Sequence, residues 1–147
     1  MLRGIPTQIS SDLLKILADM GHGDTIVIAD DFYPFVSKTP GGRYVQQKGI
    51  GAVEMMEAIL ALLPLDAEFS EFPILCMVPD GKGKEFLQEQ EVTREIIRCV
   101  EKSGYAKECA GHIERSQFYR EAEKAFATVS TSERRPYGCF ILKKGVL

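Results

Sequence analysis

Two short runs in this chain of 147 residues, Thr25-Ile26-Val27-Ile28-Ala29 and Pro73-Ile74-Leu75-Cys76-Met77-Val78, are apolar at consecutive rather than alternate positions. A strand with one wet face alternates between apolar and polar side chains. A strand without that alternation has both faces covered, and in an α/β domain the cover is helical. The segments around the two runs supply such helices. Leu13, Leu14, Leu17 and Met20 follow the capping oxygens of Ser10-Ser11-Asp12, and Gly21 falls where a left-handed helix stop belongs. Val53, Met56, Ile59, Leu60 and Leu63 form a broad apolar face ended by Pro64, with Glu54 and Glu57 opposite. Val92, Ile96, Ile97 and Val100 make a third helix stopped at Gly104. Phe118, Tyr119, Ala122, Ala125 and Phe126 make a fourth, capped by Ser116. Further short strands are expected at His112–Arg115, Ala127–Ser130 and Cys139–Leu142, the last two joined by a turn through Glu133-Arg134-Arg135-Pro136-Tyr137. The pattern is that of an α/β layered domain with some antiparallel pairing near the C-terminus.

With 45% hydrophobic residues, the chain can bury a sizeable core as one domain over residues 1–147. A net charge of −3 argues against nucleic acid as a partner, because there is no basic surplus to neutralise phosphates. The longest apolar stretch, Ala58 to Leu65, is too short to span a bilayer, and Met1–Pro6 shows no run of signal-peptide length. No membrane association and a cytoplasmic location are therefore expected. Cys76, Cys99, Cys109 and Cys139 show no C-x-x-C pair or zinc-like spacing, which points to reduced, structural thiols. Asp80-Gly81-Lys82-Gly83-Lys84 lacks the phosphate-loop pattern and reads as a solvated turn.

Chemistry-bearing side chains are few. His22 stands between Gly21 and Gly23 at a helix-to-strand turn, with little steric cover and a side chain that exchanges protons near neutral pH. Asp30 closes the first apolar run, at the carboxyl end of a strand, where open α/β sheets place their ligands. Arg115 stands at a strand-to-helix junction, with a fork of donors suited to hydroxyl or carboxylate oxygens. Tyr137-Gly138 precedes the last strand, where glycine admits close backbone approach to a ligand. Each has a plainer rival: a hydrogen-bonded structural histidine, an Asx turn at Asp30, a surface salt bridge at Arg115. Asp24 and Asp31 are assigned to Asx turns, His112 to no special role, Tyr119 to the core with a wet hydroxyl, and Glu133-Arg134-Arg135 to a solvated turn. No metal-ligand set is legible. The set suits proton transfer on a hydroxyl-rich small molecule without a cofactor.

An ordered series of segments then resembles one family nearly end to end: Leu13-Leu14, Met20-Gly21-His22-Gly23-Asp24, Ala29-Asp30, Leu63-Pro64-Leu65-Asp66, Ile113-Glu114-Arg115, Phe118-Tyr119, Lys124-Ala125-Phe126-Ala127, Tyr137-Gly138 and Leu142-Lys143-Lys144-Gly145-Val146. It is similar to the RbsD/FucU family of sugar mutarotases, which includes L-fucose mutarotase and D-ribose pyranase, and leans toward the fucose branch. The resemblance implies a three-layer α/β/α fold with a mixed sheet, and homo-oligomeric rings that pair as decamers with sites near subunit borders. It implies His22 as the proton donor, Asp30 and Arg115 as sugar-binding residues, and Tyr137, Gly138 and Cys139 on the sugar-contacting Tyr-Gly-Asn segment. It also implies a monosaccharide substrate and no cofactor, since anomeric interconversion involves no redox change. Two departures stand out: Cys139 replaces that segment's asparagine, and Gln46-Gln47-Lys48-Gly49 replaces the family's Arg-Ala-Asp-Gly. The expected activity is interconversion of the anomers of a free pyranose such as fucose. The alternatives are pyranose–furanose interconversion of ribose and non-catalytic sugar binding in the service of transport.

Overall fold

The computed structural model describes residues 2–147. In chain order the elements are α1 (Ser11–Asp19), β1 (Thr25–Ala29), β2 (Tyr44–Gln47), α2 (Ala52–Leu60), β3 (Ile74–Val78), α3 (Glu91–Lys102), β4 (Ala110–Glu114), α4 (Arg115–Ala122), β5 (Ala127–Thr131) and β6 (Phe140–Lys143), with a 3-10 helix at Lys84–Gln88 and another at Lys107–Cys109. The strands form one six-stranded sheet in the order β2-β5-β1-β6-β3-β4. The pairs β2–β5, β5–β1 and β3–β4 are parallel, and β6 lies antiparallel between β1 and β3. Five strands therefore point one way and β6 alone points back. This is the mixed sheet expected, and its helices make the three layers: α1, α2 and α3 cover one face and α4 the other.

Burial explains the missing alternation in β1, where Ile26, Val27, Ile28 and Ala29 are all fully buried. Ile26 and Ile28 pack with Leu13 of α1, Met55 and Ile59 of α2, and Ile96 of α3, in a large cluster that also takes in Ile74, Phe140 and Leu142. Val27 and Ala29 face the other way, into a smaller cluster with Met77, Ile141, Tyr33, and Phe118 and Ala122 of α4. Fully burying one such side chain stabilises by about 1.5–3 kcal/mol, so both clusters contribute, the larger one more.

Several local expectations are corrected. The left-handed residue after α1 is Gly23 (φ +86°), while Gly21 is held by its N–H donating to Asp24 Oδ2 at 2.8 Å. The helix stop itself is the extended Met20. α2 ends at Leu60, short of Leu63. α4 starts one residue earlier than Ser116. Its first-turn donors are satisfied from a distant loop, because Ser116 N–H and Oγ–H donate to Asp80 Oδ1 and Oδ2 at 2.9 and 2.6 Å. β2 was not anticipated, since the polar Tyr-Val-Gln-Gln edge strand carries almost no burial signal. β5 and β6 are sequential but do not pair; β1 runs between them.

Glu133-Arg134-Arg135 is not a solvated turn. Glu133 is 7% exposed and its carboxylate accepts from Arg134 N–H, Arg135 N–H, Arg135 Nε–H and Arg135 Nη2–H at 2.9–3.1 Å. Arg135 in turn donates to Glu95 Oε2 on α3 at 2.5 Å.

Candidate active site

The reversed direction of β6 builds the site. Asp30 follows the carboxyl end of β1 and Arg115 follows the carboxyl end of β4. Met77 lies near the end of β3, and Tyr137 and Cys139 lie just before the amino end of β6. Because β6 is antiparallel to β1 and β3, its start and their ends meet at one edge of the sheet. There Asp30, Arg115, Tyr137 and Cys139 line a hollow of about 230 Å³ together with Phe32, Tyr33, Met77 and Tyr119. That is smaller than the ~300–1,000 Å³ of pockets for drug-sized ligands, and closer to the scale of a monosaccharide.

Asp30 satisfies both readings of a strand-end aspartate. Its Oδ1 accepts from Phe32 N–H at 3.1 Å in an Asx turn, and the carboxylate still lines the hollow. Burial raises its pKa above the ordinary value, against the lowering effect of the Phe32 amide, the Cys139 thiol and the Tyr33 amide. Cys139 is 2% exposed, and its Sγ accepts from Asp30 N–H at 3.4 Å. Burial holds that thiol well above its usual pKa, so it stays protonated. Arg115 Nε–H donates to Tyr119 Oη at 3.2 Å, with the guanidinium 5.2 Å from the ring centroid. Tyr119 thus packs against the smaller core cluster, as expected, and also lines the hollow. Asp80, by tying down the first turn of α4, fixes where Arg115 departs.

Tyr137 carries a positive φ of +59°, rare for a residue with a side chain, and its ring meets Phe86 edge-on at 5.3 Å. Gly138 is buried behind it. A Cβ there would stand 2.8 Å from Glu133 Cγ and 3.6 Å from Asp30 Cβ, so glycine is needed for close packing of protein on protein. Protein packing is therefore one reason for a glycine at this position.

His22 is not in the hollow. It precedes β1 while Asp30 follows it, and the five residues of β1 alone span about 13 Å. Its imidazole is 44% exposed. Nε2 lies 3.0 Å from Asp66 Oδ1, and the ring meets the ring of Phe69 at 5.4 Å. Asp66 is nearly buried, and its Oδ2 accepts from Ser70 Oγ–H at 2.9 Å. Burial alone would raise the Asp66 pKa, but the Ser70 and His22 hydrogen bonds outweigh it and hold the pKa below the ordinary value. An ionised Asp66 accepts a proton-bearing Nε2, which leaves Nδ1 as the nitrogen available for exchange. In the sequence Asp66 enters only as the end of the Leu63-Pro64-Leu65-Asp66 segment of the resemblance, with no role attached. It lies 44 residues from His22, and nothing local distinguishes it from another loop aspartate.

A larger hollow of about 760 Å³ lies along the free edge of β4, walled by Phe72, Leu87, Ile97 and Ala110. None of the strand-end polar groups reaches it, so it does not compete as the chemical site.

The profile of the RbsD / FucU transport protein family matches residues 3–147. A human fucose mutarotase is 41% identical over 147 residues, covering 99% of this chain and 94% of that protein. An L-fucose mutarotase of Actinobacillus pleuropneumoniae is 35% identical over 148 residues, covering 99% and 97%. The crystal structure of a fucose mutarotase from Streptococcus pneumoniae in complex with L-fucose superposes with a TM-score of 0.88 at 35% identity, covering 99% of each chain.

Proposed function

Because this chain belongs to the RbsD / FucU family, we propose that it interconverts the α and β anomers of a free pyranose, L-fucose, as an isomerase of the racemase and epimerase class. The observation that carries this reading is the convergence of Asp30, Arg115, Tyr119, Tyr137 and Cys139 on one sugar-sized hollow at the carboxyl ends of the strands. Anomer exchange adds a proton to the ring oxygen and removes one from the anomeric hydroxyl, and the ring C–O bond opens. The freed aldehyde rotates, and reclosure gives the other anomer. Atoms and electrons balance within the sugar, so acid and base groups suffice.

We assign His22 the proton transfers, which for such a group contribute about 10²–10⁴-fold. Asp30 and Arg115 hold sugar hydroxyls, and Tyr137 offers its ring or hydroxyl. The Gly138–Cys139 stretch forms the wall beneath, where a thiol stands in for an amide and is the weaker partner. One copy of the chain keeps His22 and the hollow at opposite ends of β1, so the complete site is built where copies meet, the histidine of one facing the hollow of another. Two exposed aromatics support this: Phe69, 66% exposed against His22, and Phe32, 67% exposed on the rim of the hollow. The assembly we assign is a decamer of two pentameric rings, with residues 1–147 as one mutarotase domain. We place it in the cytoplasm, consistent with four free cysteines and with no helix among the described residues long and apolar enough to cross a membrane.

Saturation-transfer NMR on a panel of fucose, galactose and ribose tests the reading. The expected result is fucose exchange well above the solvent rate at full occupancy. Exchange at the solvent rate with sugar bound indicates a transport accessory instead, and furanose signals enhanced only with ribose indicate the pyranase activity.

A further inference from the structure

Among the described residues, one buried side-chain polar atom has no hydrogen-bond partner: the hydroxyl of Tyr33. Tyr33 is 6% exposed and forms part of the wall of the hollow. Its ring is fixed edge-on against Phe118, 5.9 Å between centroids, and beside Tyr119 at 5.7 Å. The backbone is fixed as well, since Tyr33 N–H donates to Asp30 O at 3.4 Å in the turn that presents Asp30. The phenol is deeply desolvated. Burial pushes its pKa well above the ordinary value, and Cys139, Tyr119, Glu123 and Asp30 add in the same direction. It is therefore neutral, able both to donate and to accept.

Buried hydroxyls in native structures almost always have partners, and an orphan one weakens the fold. A phenylalanine would fill the same space between Phe118 and Tyr119 without that cost. The neighbouring wall sharpens the point. Cys139 Sγ is already engaged by Asp30 N–H and is a weak partner for a sugar hydroxyl in any case. The buried hydroxyl that lacks a protein partner thus belongs to a residue lining the hollow.

We propose that the Tyr33 hydroxyl is a specificity-determining contact of this site, completed by a ring hydroxyl of the bound pyranose. This rests on the hollow being the sugar site. A wall with one unpaired buried hydroxyl discriminates against a sugar lacking the matching group, because binding such an analogue would leave the phenol unpaired in a now closed site.

The test compares the full-length wild type with Tyr33→Phe, titrating each with L-fucose and its monodeoxy analogues and recording thermal unfolding without sugar. Tyr33→Phe is expected to unfold at the wild-type temperature or higher and to bind L-fucose about tenfold more weakly, the scale of one hydrogen bond. One monodeoxy analogue is expected to bind both proteins equally, while wild type prefers L-fucose to it by that same factor. Equal affinity of both proteins for every sugar overturns the proposal, and so does a marked fall in the unfolding temperature, which would reveal a structural partner for the hydroxyl. Absence of any sugar binding by wild type would remove the functional reading as well, an outcome distinct from either.

Discussion

The two ends of β1 hold their polar groups in opposite ways. At the amino end nearly every donor and acceptor is spoken for. His22 pairs with Asp66, which pairs with Ser70. Lys144 Nζ donates to the carbonyls of Leu17 and Met20, and Gly23 N–H donates to Lys144 O. At the carboxyl end stand a carboxylate whose pKa is raised by burial, a buried thiol and a buried hydroxyl with no partner. A closed network fixes one imidazole in one orientation. An unfinished network is receptive, because its missing partners can be supplied by a ligand. Two aspartates make the contrast concrete: hydrogen bonds hold Asp66 ionised, whereas burial pushes Asp30 toward the neutral form.

The largest effect expected is that of His22→Ala. If the amino end supplies the chemistry and the carboxyl end the binding, fucose exchange measured by saturation-transfer NMR falls by about 10²–10⁴-fold while sugar affinity holds. Mixing that variant with one damaged only in the hollow restores part of the exchange if the site is shared between copies. Exchange at the wild-type rate in His22→Ala would separate the two ends altogether.

Next comes Asp66→Asn, which keeps the shape of the side chain but removes the charge that steadies His22. A charge-assisted hydrogen bond is worth about 1.5–3 kcal/mol, so kcat is expected to fall by about 10- to 100-fold with KM little changed. A rise in KM at constant kcat would place Asp66 on the sugar instead. The Asp66 pKa is lowered on folding. Its contribution to stability is therefore complete above the ordinary value of 3.8 and is lost as pH falls through the folded value.

Much of this architecture was legible in advance, for reasons that also explain what was not. β1, α1 and α3 announce themselves through burial on both faces or through an unbroken helical stripe, signals that need no knowledge of neighbours. Asp30 and Arg115 were legible as strand-end residues because the ends of Ile26–Ala29 and of Ile113-Glu114 are visible locally. Their meeting in space was not, since it depends on β6 inserting antiparallel between β1 and β3, a long-range pairing with no local signature. The polar edge strand β2 is held by its pairing with β5 and not by any pattern of its own. Tyr33 and Asp66 were passed over for a common reason: each looks ordinary in its own segment and acquires its role from a partner, or the lack of one, contributed by distant chain. Tyr119 sits at helical spacing with Phe118 and so reads as core, though its hydroxyl takes Arg115 into the wall of the hollow.

The smallest effect on exchange, and the sharpest on stability, belongs to Glu133→Gln. Glu133 underpins the carboxyl end of β1: Asp31 N–H donates to its carbonyl at 2.8 Å, its Cγ fills the space that Gly138 leaves, and its carboxylate gathers Arg135. Burial pushes the Glu133 carboxyl upward, but the Arg135 hydrogen bonds and charge outweigh it, so the folded pKa lies below the ordinary 4.5. The stabilisation is therefore fully present above pH about 4.5 and is lost as pH falls through the folded value. Replacing a charge-assisted acceptor of this kind is expected to cost about 2 kcal/mol at pH 7 by urea unfolding. The gap between variant and wild type should narrow as pH falls below 4.5 and through the folded value, where wild-type Glu133 also becomes neutral. Asp30 runs the other way: its raised pKa makes the fold lose stability as pH rises through it, and since burial is the larger cause and the Glu133 charge a lesser one, the variant keeps most of that dependence. A gap that stays constant until the wild type itself unfolds in acid would mean that Glu133 acts by shape alone and that its ionisation contributes nothing to holding the hollow.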